Sequence, residues 1–409
     1  MATKPLSDSV MRQTLALVKK HGGVSQAAVA ANLNRNTMST RYQHALQHQE
    51  RLGIAKQKPL EAMPPEAQDR INELELSIKL MKESTLSDEY VKKTILKLDA
   101  AEKPIPKWLV TPKSSKSPGV PCLFISDTHH GEIIDPAQIN HVNEYNITIA
   151  HRRYQTLVEK TISLCFEHLK NPNYPGIVVV LGGDMVSGDI HEELVATNEK
   201  EIMACVLDLY GVLVWVIETL RDKFGQVFLP CVTGNHGRDT LKIRAKGRNY
   251  TSFDWLLYQF LAKRFEKDKR VQFFIPDGAD ALFSIFGYRY LLTHGDQFRG
   301  GDGVIGALGP IIRGDHKKRS RNGQIGMSYD TMLLGHWHQL IQLERLVVNG
   351  SLCGYNEYAM SNNFGFEPPR QALWLTHPDQ GITFRMAVNV DDTRDNLSVK
   401  NKNWVSWAQ

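Results

Sequence analysis

Residues 122–129 read CLFISDTH, an apolar run that ends in two polar side chains, Asp127 and His129. The same order recurs at 177–184, where IVVVLGGD carries an apolar run into Asp184. Short apolar, β-branched runs bounded by glycine or polar residues predict buried β-strands. We therefore expect these aspartates at the C-termini of strands, which is the edge of an α/β sheet where active sites are built.

Three more polar segments follow apolar runs in the same way. They are GNH with Asn235 and His236, THGD with His294, and GHWH with His336 and His338. In D-x-H and H-x-H the two side chains are expected on one face of an extended segment, since strand side chains repeat every second residue. The two glycines before Asp184 allow a sharp turn that frees its carboxylate to bridge two cations. A donor set of nitrogen and oxygen without thiolate suits Mn, Fe, Zn or Ni.

The order D-x-H, G-D, G-N-H, a histidine after a strand, and G-H-x-H resembles the calcineurin-like metallophosphoesterases over about residues 120–350. The resemblance is to DNA repair exonuclease-type and phage-encoded members. It implies an α/β fold, a four-layer αββα sandwich of two mixed sheets. It also implies two divalent metal ions, with manganese expected first and zinc, iron, nickel or magnesium as alternatives. One ion would be held by Asp127, His129 and His338, and the other by Asn235, His294 and His336, with Asp184 bridging.

The expected reaction is phosphodiester hydrolysis without a covalent intermediate. Two cations that share a water lower its pKa from ~15.7 towards neutrality, and the bridging hydroxide attacks phosphorus in line. His236 is then the general acid for the leaving group. Relatives often place an acid directly after G-N-H or three residues after the G-D aspartate, where this chain has Gly237 and Ser187. Asp239 and Asp189 are the nearest candidates to orient His236, and Asp239 is taken as the catalytic partner.

Composition indicates a globular protein with an asymmetric charge. The 409 residues carry a net charge of +5, but residues 1–60 hold nine Lys or Arg against two acidic residues, which leaves −2 for the rest. The five cysteines are scattered in apolar segments and predict reduced core residues in a cytoplasmic protein. No signal peptide is evident and no apolar run approaches the length of a membrane span, so no membrane partner is expected.

The basic N-terminal region resembles a helix-turn-helix, with helical stretches at 10–20, 25–33 and 36–49. A small core is expected from six side chains. They are Leu15, Val18, Ala28, Val29, Leu33 and Met38. The expected recognition helix spans residues 36–44, and Arg35, directly before it, and Arg41, within it, are predicted to contact DNA. The alternative is an ordinary helical hairpin that serves packing or dimerisation.

Four regions follow from these patterns: a helix-turn-helix-like domain at 1–60, a helical connector and flexible linker at 61–119, a catalytic domain at 120–390 and a C-terminal tail at 391–409. Within the catalytic domain, residues 206–220 and 253–265 are predicted as covering helices. Residues 371–376 and 381–388 are predicted strands that close the second sheet.

Two basic stretches, 237–250 and 313–321, lie between the motifs. Both are predicted to be loops beside the metals. Their predicted nucleic-acid contacts are Arg238, Lys242, Arg244, Lys317, Lys318 and Arg319. Such cations would cradle a polyphosphate backbone, which favours a nuclease acting on DNA. A phosphatase or cyclic-nucleotide phosphodiesterase is the alternative within enzymes, and a DNA-binding regulator with a scaffold phosphoesterase domain is the alternative outside them. The complete ligand set argues against the regulator, and the oligomeric state is left unassigned.

Overall fold

The computed structural model describes residues 7–54, 106–110, 119–169, 172–190, 192–300 and 306–391. The chain divides into two compact units, Met1–Glu102 and Lys103–Gln409. Their division falls inside the predicted connector at 61–119, most of which lies outside the described residues. The predicted tail at 391–409 is outside them except for Asp391.

The first unit contains three helices, α1 (Asp8–His21), α2 (Val24–Ala30) and α3 (Arg35–Ile54). Gly22 ends α1 in the left-handed conformation with φ of 71°, which a residue without a Cβ adopts readily. Asn34 precedes α3, and its side chain accepts a hydrogen bond from the Asn36 N–H at 2.8 Å. Val18, Ala28 and Met38 are buried as predicted, but Val29 is 83% exposed and does not belong to the small core.

The second unit holds seven further helices among the described residues. They are α4 (Lys107–Val110), α5 (Ile147–Phe166), α6 (Glu192–Thr197), α7 (Ile202–Phe224), α8 (Phe253–Arg264), α9 (Leu308–Gln324) and α10 (Glu357–Ser361). Its strands are β1 (Val120–Ile125), β2 (Ile177–Leu181), β3 (Val227–Pro230), β4 (Val271–Phe274), β5 (Asp280–Ile285), β6 (Tyr288–Thr293), β7 (Thr331–Leu334), β8 (Ile341–Leu343), β9 (Leu346–Val348), β10 (Arg370–His377) and β11 (Gly381–Asn389).

These strands form two mixed sheets. The six-stranded sheet has the order β11-β10-β1-β2-β3-β4, with β1 to β4 parallel and β10 antiparallel to both of its neighbours. The five-stranded sheet has the order β5-β6-β7-β9-β8, in which β6, β7 and β9 are parallel. The strands at 371–376 and 381–388 were predicted to close the second sheet, and that prediction is wrong. Instead, β10 pairs with β1 and β11 pairs with β10, so both strands extend the first sheet.

The side chains of β1 alternate between its two faces and show how the layers of the fold are stacked. Leu123 and Ile125 point into a core shared with α5, α7 and α8, whereas Cys122 and Phe124 point into a core between the two sheets. The outer face of the second sheet packs on α9 through Ile311. The order is therefore helix, sheet, sheet, helix, and the predicted αββα sandwich is confirmed.

Helix α7 is the one described helix long and apolar enough to cross a membrane by length and composition, which the sequence analysis did not anticipate. Eight of its side chains are buried, including Leu209, Leu213 and Val216, and they pack in the core of the first sheet. A helix that covers a buried parallel sheet needs such an apolar face. All five cysteines are buried and free of disulfides.

Candidate metal centre

The motif residues converge where parallel strands of the two sheets end. Asp127 follows β1, Asp184 follows β2, and Asn235 follows β3 in the first sheet, while His294 and His336 follow β6 and β7 in the second. Because the two sheets pack face to face, their carboxyl edges bring these side chains together.

Backbone strain is concentrated at these residues. Ten described non-glycine residues have positive φ, and five of them are predicted ligands: Asp127, His129, Asp184, His336 and His338. A left-handed conformation costs a non-glycine residue about 1–3 kcal/mol and persists where the surroundings impose it, typically at functional sites. The prediction that Asp127 and His129 lie on an extended segment is therefore wrong. The backbone is left-handed at both residues, and their side chains are buried.

A first cluster contains Asp127, His129 and His338. The Nε2 atoms of His129 and His338 lie 3.1 Å apart, and His338 Nε2 lies 3.5 Å from Asp127 Oδ1. Two neutral imidazoles that point nitrogen lone pairs at one spot repel each other unless a cation or proton lies between them. Burial, followed by repulsion from His236 and His338, lowers the pKa of His129 well below its ordinary value, which favours the neutral form that binds metal.

A second cluster contains Asp184, His294 and His336, with Asn235 beside them. His294 Nε2 lies 2.9 Å from Asp184 Oδ2 and 3.1 Å from Asn235 Oδ1. The Nδ1 of His294 donates to the carbonyl of Gly182 at 2.8 Å, so Nε2 is the atom that faces the cluster. Burial opposes protonation of His294, but the charge and hydrogen bond of Asp184, together with the charges of Asp127 and Asp296, raise the pKa to about 10.

Asp184 joins the two clusters, because its carboxylate also groups with the ring nitrogens of His129 and His236. It is only 1% exposed. The structure thus brings together the seven residues predicted as metal ligands, and Asp184 lies between the two clusters. The donor set of imidazoles, carboxylates and one amide fits divalent ions such as manganese or zinc.

Asp254 holds the two metal-bearing loops together, and the sequence analysis did not find it. This carboxylate, fully buried near the start of α8, accepts hydrogen bonds from the backbone N–H groups of Asp184 at 3.0 Å, Met185 at 3.2 Å and Gly234 at 2.9 Å. Burial, and then the charge of Asp184, raise its pKa to about 6. Acidic residues are common in the first turn of a helix because they interact favourably with the helix dipole. The sequence therefore gave no reason to single out Asp254.

Asp254 also explains why position 237 is a glycine, although relatives often carry an acid directly after G-N-H. A Cβ added to Gly237 would lie 2.8 Å from Asp254 Oδ1, closer than van der Waals contact allows. The residue before Asp254 holds the same turn in place, since the Phe253 N–H donates to the Gly237 carbonyl at 2.6 Å. A side chain at position 237 would therefore have to displace the Asp254 carboxylate, which three hydrogen bonds hold in place.

His236 is oriented by a backbone carbonyl. Its Nδ1 donates to the Ser187 carbonyl at 2.9 Å, and its N–H donates to Asp184 Oδ1 at 2.7 Å. Asp239 is exposed, and among the described residues its side chain has no hydrogen bond or ion pair. Asp189 is exposed as well. The orienting role assigned to Asp239 is thus filled by the Ser187 carbonyl, which the sequence could not reveal because every residue carries one.

The first basic stretch, 237–250, divides into internal and exposed cations. Arg248 forms a two-pronged ion pair with Asp296, at 2.8 and 3.0 Å, and donates to the Gly234 carbonyl at 3.1 Å. Arg238 donates to the Asn235 carbonyl and, at 2.9 Å, to the Thr240 carbonyl, so its guanidinium supports its own loop. Lys242 and Arg244 are exposed and remain available to a ligand.

The second basic stretch, 313–321, was predicted to be a loop, and that is wrong because it lies within helix α9. Gly314 is a packing residue, since a Cβ there would come 2.4 Å from the Phe298 ring. Lys318 is 7% exposed, and its Nζ binds both oxygens of Asp280, at 2.6 and 2.8 Å. Arg319 pairs with Asp315 at 2.7 Å and donates to the Tyr329 carbonyl at 3.0 Å.

The predicted nucleic-acid contacts thus have different surroundings. Lys317 is exposed on α9, as are Lys242 and Arg244 on the loop after His236, whereas Lys318 and Arg319 are engaged inside the fold. In the first unit, Arg35 is exposed at the start of α3, and Arg41 is half-buried on the same helix.

The chain matches no protein-family profile and no curated protein. Similar folds occur in Vps29 complexed with zinc from Entamoeba histolytica, at 12% identity and a TM-score of 0.28, covering 66% of this chain and 100% of that one. A predicted phosphoesterase from Streptococcus pneumoniae has 10% identity and a TM-score of 0.25, covering 66% and 96%. A protein named as a 5′-nucleotidase from Staphylococcus aureus has 12% identity and a TM-score of 0.30, covering 67% and 55%.

Proposed function

We propose that this chain is a metallophosphoesterase of the calcineurin-like type that hydrolyses phosphodiester bonds in nucleic acid with two divalent metal ions. The observation that carries the proposal is that the predicted ligands form two clusters linked by Asp184, which groups with His294 and His336 on one side and with His129 on the other, while Asn235 lies beside His294. The 3.1 Å approach of the Nε2 atoms of His129 and His338 supports it, because that arrangement is favourable with a cation between them.

Asp127, His129 and His338 would hold one ion, and Asn235, His294 and His336 the other, with Asp184 between them. When bound, such ions act as Lewis acids on phosphoryl oxygens and lower the pKa of water. Hydrogen bonds within the protein orient the proposed metal ligands. Asp127 Oδ1 accepts from the His336 N–H at 2.7 Å, so the loop that bears one ligand orients another.

His236 is the proposed general acid. With Nδ1–H donating to Ser187, Nε2 is the atom left to carry a proton to a leaving oxygen. Its ring lies against that of His129, with centroids 4.5 Å apart, which places it beside the first cluster. Burial lowers the pKa of His236, so the group gives up a proton readily once it has been protonated.

The substrate class is proposed from the exposed cations. Lys242 and Arg244 follow His236 within eight residues, on the loop that Arg248 anchors to the Gly234 carbonyl. Residues 1–60 carry nine Lys or Arg against two acidic residues, and Arg35 is exposed at the start of α3. Cations spaced along a surface favour a polyanionic backbone over a small monoester.

The test is hydrolysis by the purified protein with Mn²⁺. Linear, nicked, circular and single-stranded DNA are offered beside bis-p-nitrophenyl phosphate and p-nitrophenyl phosphate. Cleavage of DNA and of the diester supports the proposal. Cleavage of the monoester alone would identify a phosphatase, and no cleavage of any substrate would leave the fold as a scaffold for binding.

A further inference from the structure

An exposed aromatic segment lies between the last metal ligands and β10. Over nine residues, 358–366, three rings and a methionine are turned to solvent: Tyr358 at 63% exposure, Phe364 at 52%, Phe366 at 53% and Met360 at 37%. Isolated apolar side chains on a surface are ordinary, but several together mark a binding site. Stable packing alone would have buried these rings.

This segment is held firmly although its rings are exposed. Asn356 caps the short helix α10 by accepting from the Ala359 N–H at 3.0 Å, and its amide donates to Glu132 Oε1 at 2.8 Å. The Tyr355 hydroxyl donates to the Phe364 carbonyl at 3.0 Å and closes the turn. The rings are therefore presented by a fixed backbone, which lowers the entropy cost of binding a ligand.

Both ends of the segment are tied to elements that carry metal ligands. Glu132 links Asn356 to the first cluster, because its Oε2 lies 3.8 Å from His129 Nδ1. At the other end, Glu367 Oε1 accepts from the N–H of Leu340, two residues after His338, at 3.0 Å. The aromatic segment thus borders the cluster of Asp127, His129 and His338.

The exposed groups of the segment are mainly aromatic, because the acidic side chains that flank it are engaged in hydrogen bonds. Glu357 accepts from the Asp135 N–H at 2.8 Å, and Glu367 forms a two-pronged pair with Arg370. The rings of Tyr358 and Phe364 meet edge to face, with centroids 5.9 Å apart. This contact covers part of one ring, and since half or more of each side chain is exposed, the remaining ring surface is accessible to a flat partner such as a nucleobase.

We propose that Tyr358, Phe364 and Phe366 stack on unpaired bases that flank the phosphodiester at the metal centre, so that the preferred substrate is single-stranded nucleic acid. This inference rests on the proposed function and adds the strandedness of the substrate. Bases inside a duplex are covered by their neighbours and cannot reach these rings, so a duplex would have to fray before it could bind.

The experiment compares two oligonucleotides on the full chain with Mn²⁺. One is oligothymidylate, and the other has the same backbone with tetrahydrofuran residues in place of the nucleosides. Tyr358→Ala and Phe364→Ala are each expected to lower kcat/KM on oligothymidylate about 5- to 150-fold, which corresponds to about 1–3 kcal/mol per stacked base. They should leave the rate on the abasic strand unchanged.

Three further variants separate stacking from general packing. Phe364→Trp keeps an aromatic face and should retain the rate, whereas Phe364→Leu keeps an apolar side chain and should lose it. Phe384→Ala removes a ring that is also 49% exposed but lies on β11, and it should behave as wild type.

A binding readout completes the test. Oligonucleotides that carry 5-iodouracil, irradiated with the full-length His236→Ala protein, should crosslink to Tyr358, Phe364 or Phe366. Crosslinks confined to other residues would overturn the inference, as would equal rate losses on the two strands. So would a change of oligomeric state in the alanine variants with both rates unchanged, because the rings would then cover a protein partner. If the wild type cleaves neither strand nor bis-p-nitrophenyl phosphate, the proposed function itself fails.

Discussion

Replacing Asp254 by asparagine should loosen both metal-bearing loops without changing the size of the buried side chain. The carboxylate accepts from Asp184 and Gly234 through Oδ2 and from Met185 through Oδ1. If the asparagine oxygen stays on Asp184 and Gly234, its NH₂ group faces the Met185 N–H. Two charge-assisted bonds then become neutral, and one buried donor loses its acceptor.

The expected loss in the free energy of unfolding is on the order of 3 kcal/mol, since hydrogen bonds to charged groups contribute about 1.5–3 kcal/mol, neutral ones about 1, and an unsatisfied buried donor costs about 1–3. Urea unfolding of the metal-free protein, followed by tryptophan fluorescence, measures it. All seven tryptophans lie in the unit Lys103–Gln409, so the signal reports the metal-bearing unit alone. Manganese affinity should fall about 10- to 100-fold, as is typical when the supports of metal ligands are removed.

Asp239→Asn is the matched control. It makes the same chemical change at an exposed position, and its stability should stay within about 0.5 kcal/mol of wild type. If Asp254→Asn unfolds at the same urea concentration as Asp239→Asn and binds Mn²⁺ equally well, the role of Asp254 as a clamp is refuted.

Three further predictions concern catalysis, the basic helix and the N-terminal unit. His236→Ala should retain bound manganese, measured by elemental analysis, but lose about 10²- to 10⁴-fold in turnover of bis-p-nitrophenyl phosphate; unchanged turnover would exclude it as the general acid. Lys318→Ala should lower the free energy of unfolding by about 1.5–3 kcal/mol because it breaks the contact with Asp280, whereas Lys317→Ala should leave stability unchanged and weaken DNA binding; equal stability of the two would contradict the buried pair. Deleting residues 1–60 should weaken duplex binding and flatten its dependence on salt while leaving hydrolysis of bis-p-nitrophenyl phosphate intact, and a lost diesterase activity would contradict the independence of the two units.

The sandwich and the convergence of the motif residues could be predicted from sequence because each depends on a local pattern. Runs such as 122–125 and 177–181 are buried on both faces, and residues of that kind form strands in most surroundings. Polar residues directly after such strands then meet at one edge. That reasoning fails for β10 and β11, because pairing between strands far apart in sequence depends on the whole fold.

The supports of the site were harder to predict because they depend on tertiary contacts. Asp254 lies outside the motifs and binds three backbone N–H groups, which no sequence pattern reveals. The group that orients His236 is the backbone carbonyl of Ser187, which any residue would supply. The basic residues at 313–321 also led to a wrong prediction, since this stretch is part of helix α9 and not a loop. Lysines and glycines there suggested a solvated loop, but Lys318 is buried against Asp280 and Gly314 makes room for Phe298.

We propose that the protein hydrolyses phosphodiesters when two divalent ions are bound at Asp184 and its neighbours. The most direct test of this proposal is to titrate metal-free protein with Mn²⁺ and follow bis-p-nitrophenyl phosphate hydrolysis together with the heat of binding. Activity should rise from zero and reach a plateau at two ions per chain, and Asp184→Asn should bind weakly and remain inactive. Activity that is absent at saturation, or that is present before metal is added, would contradict the account.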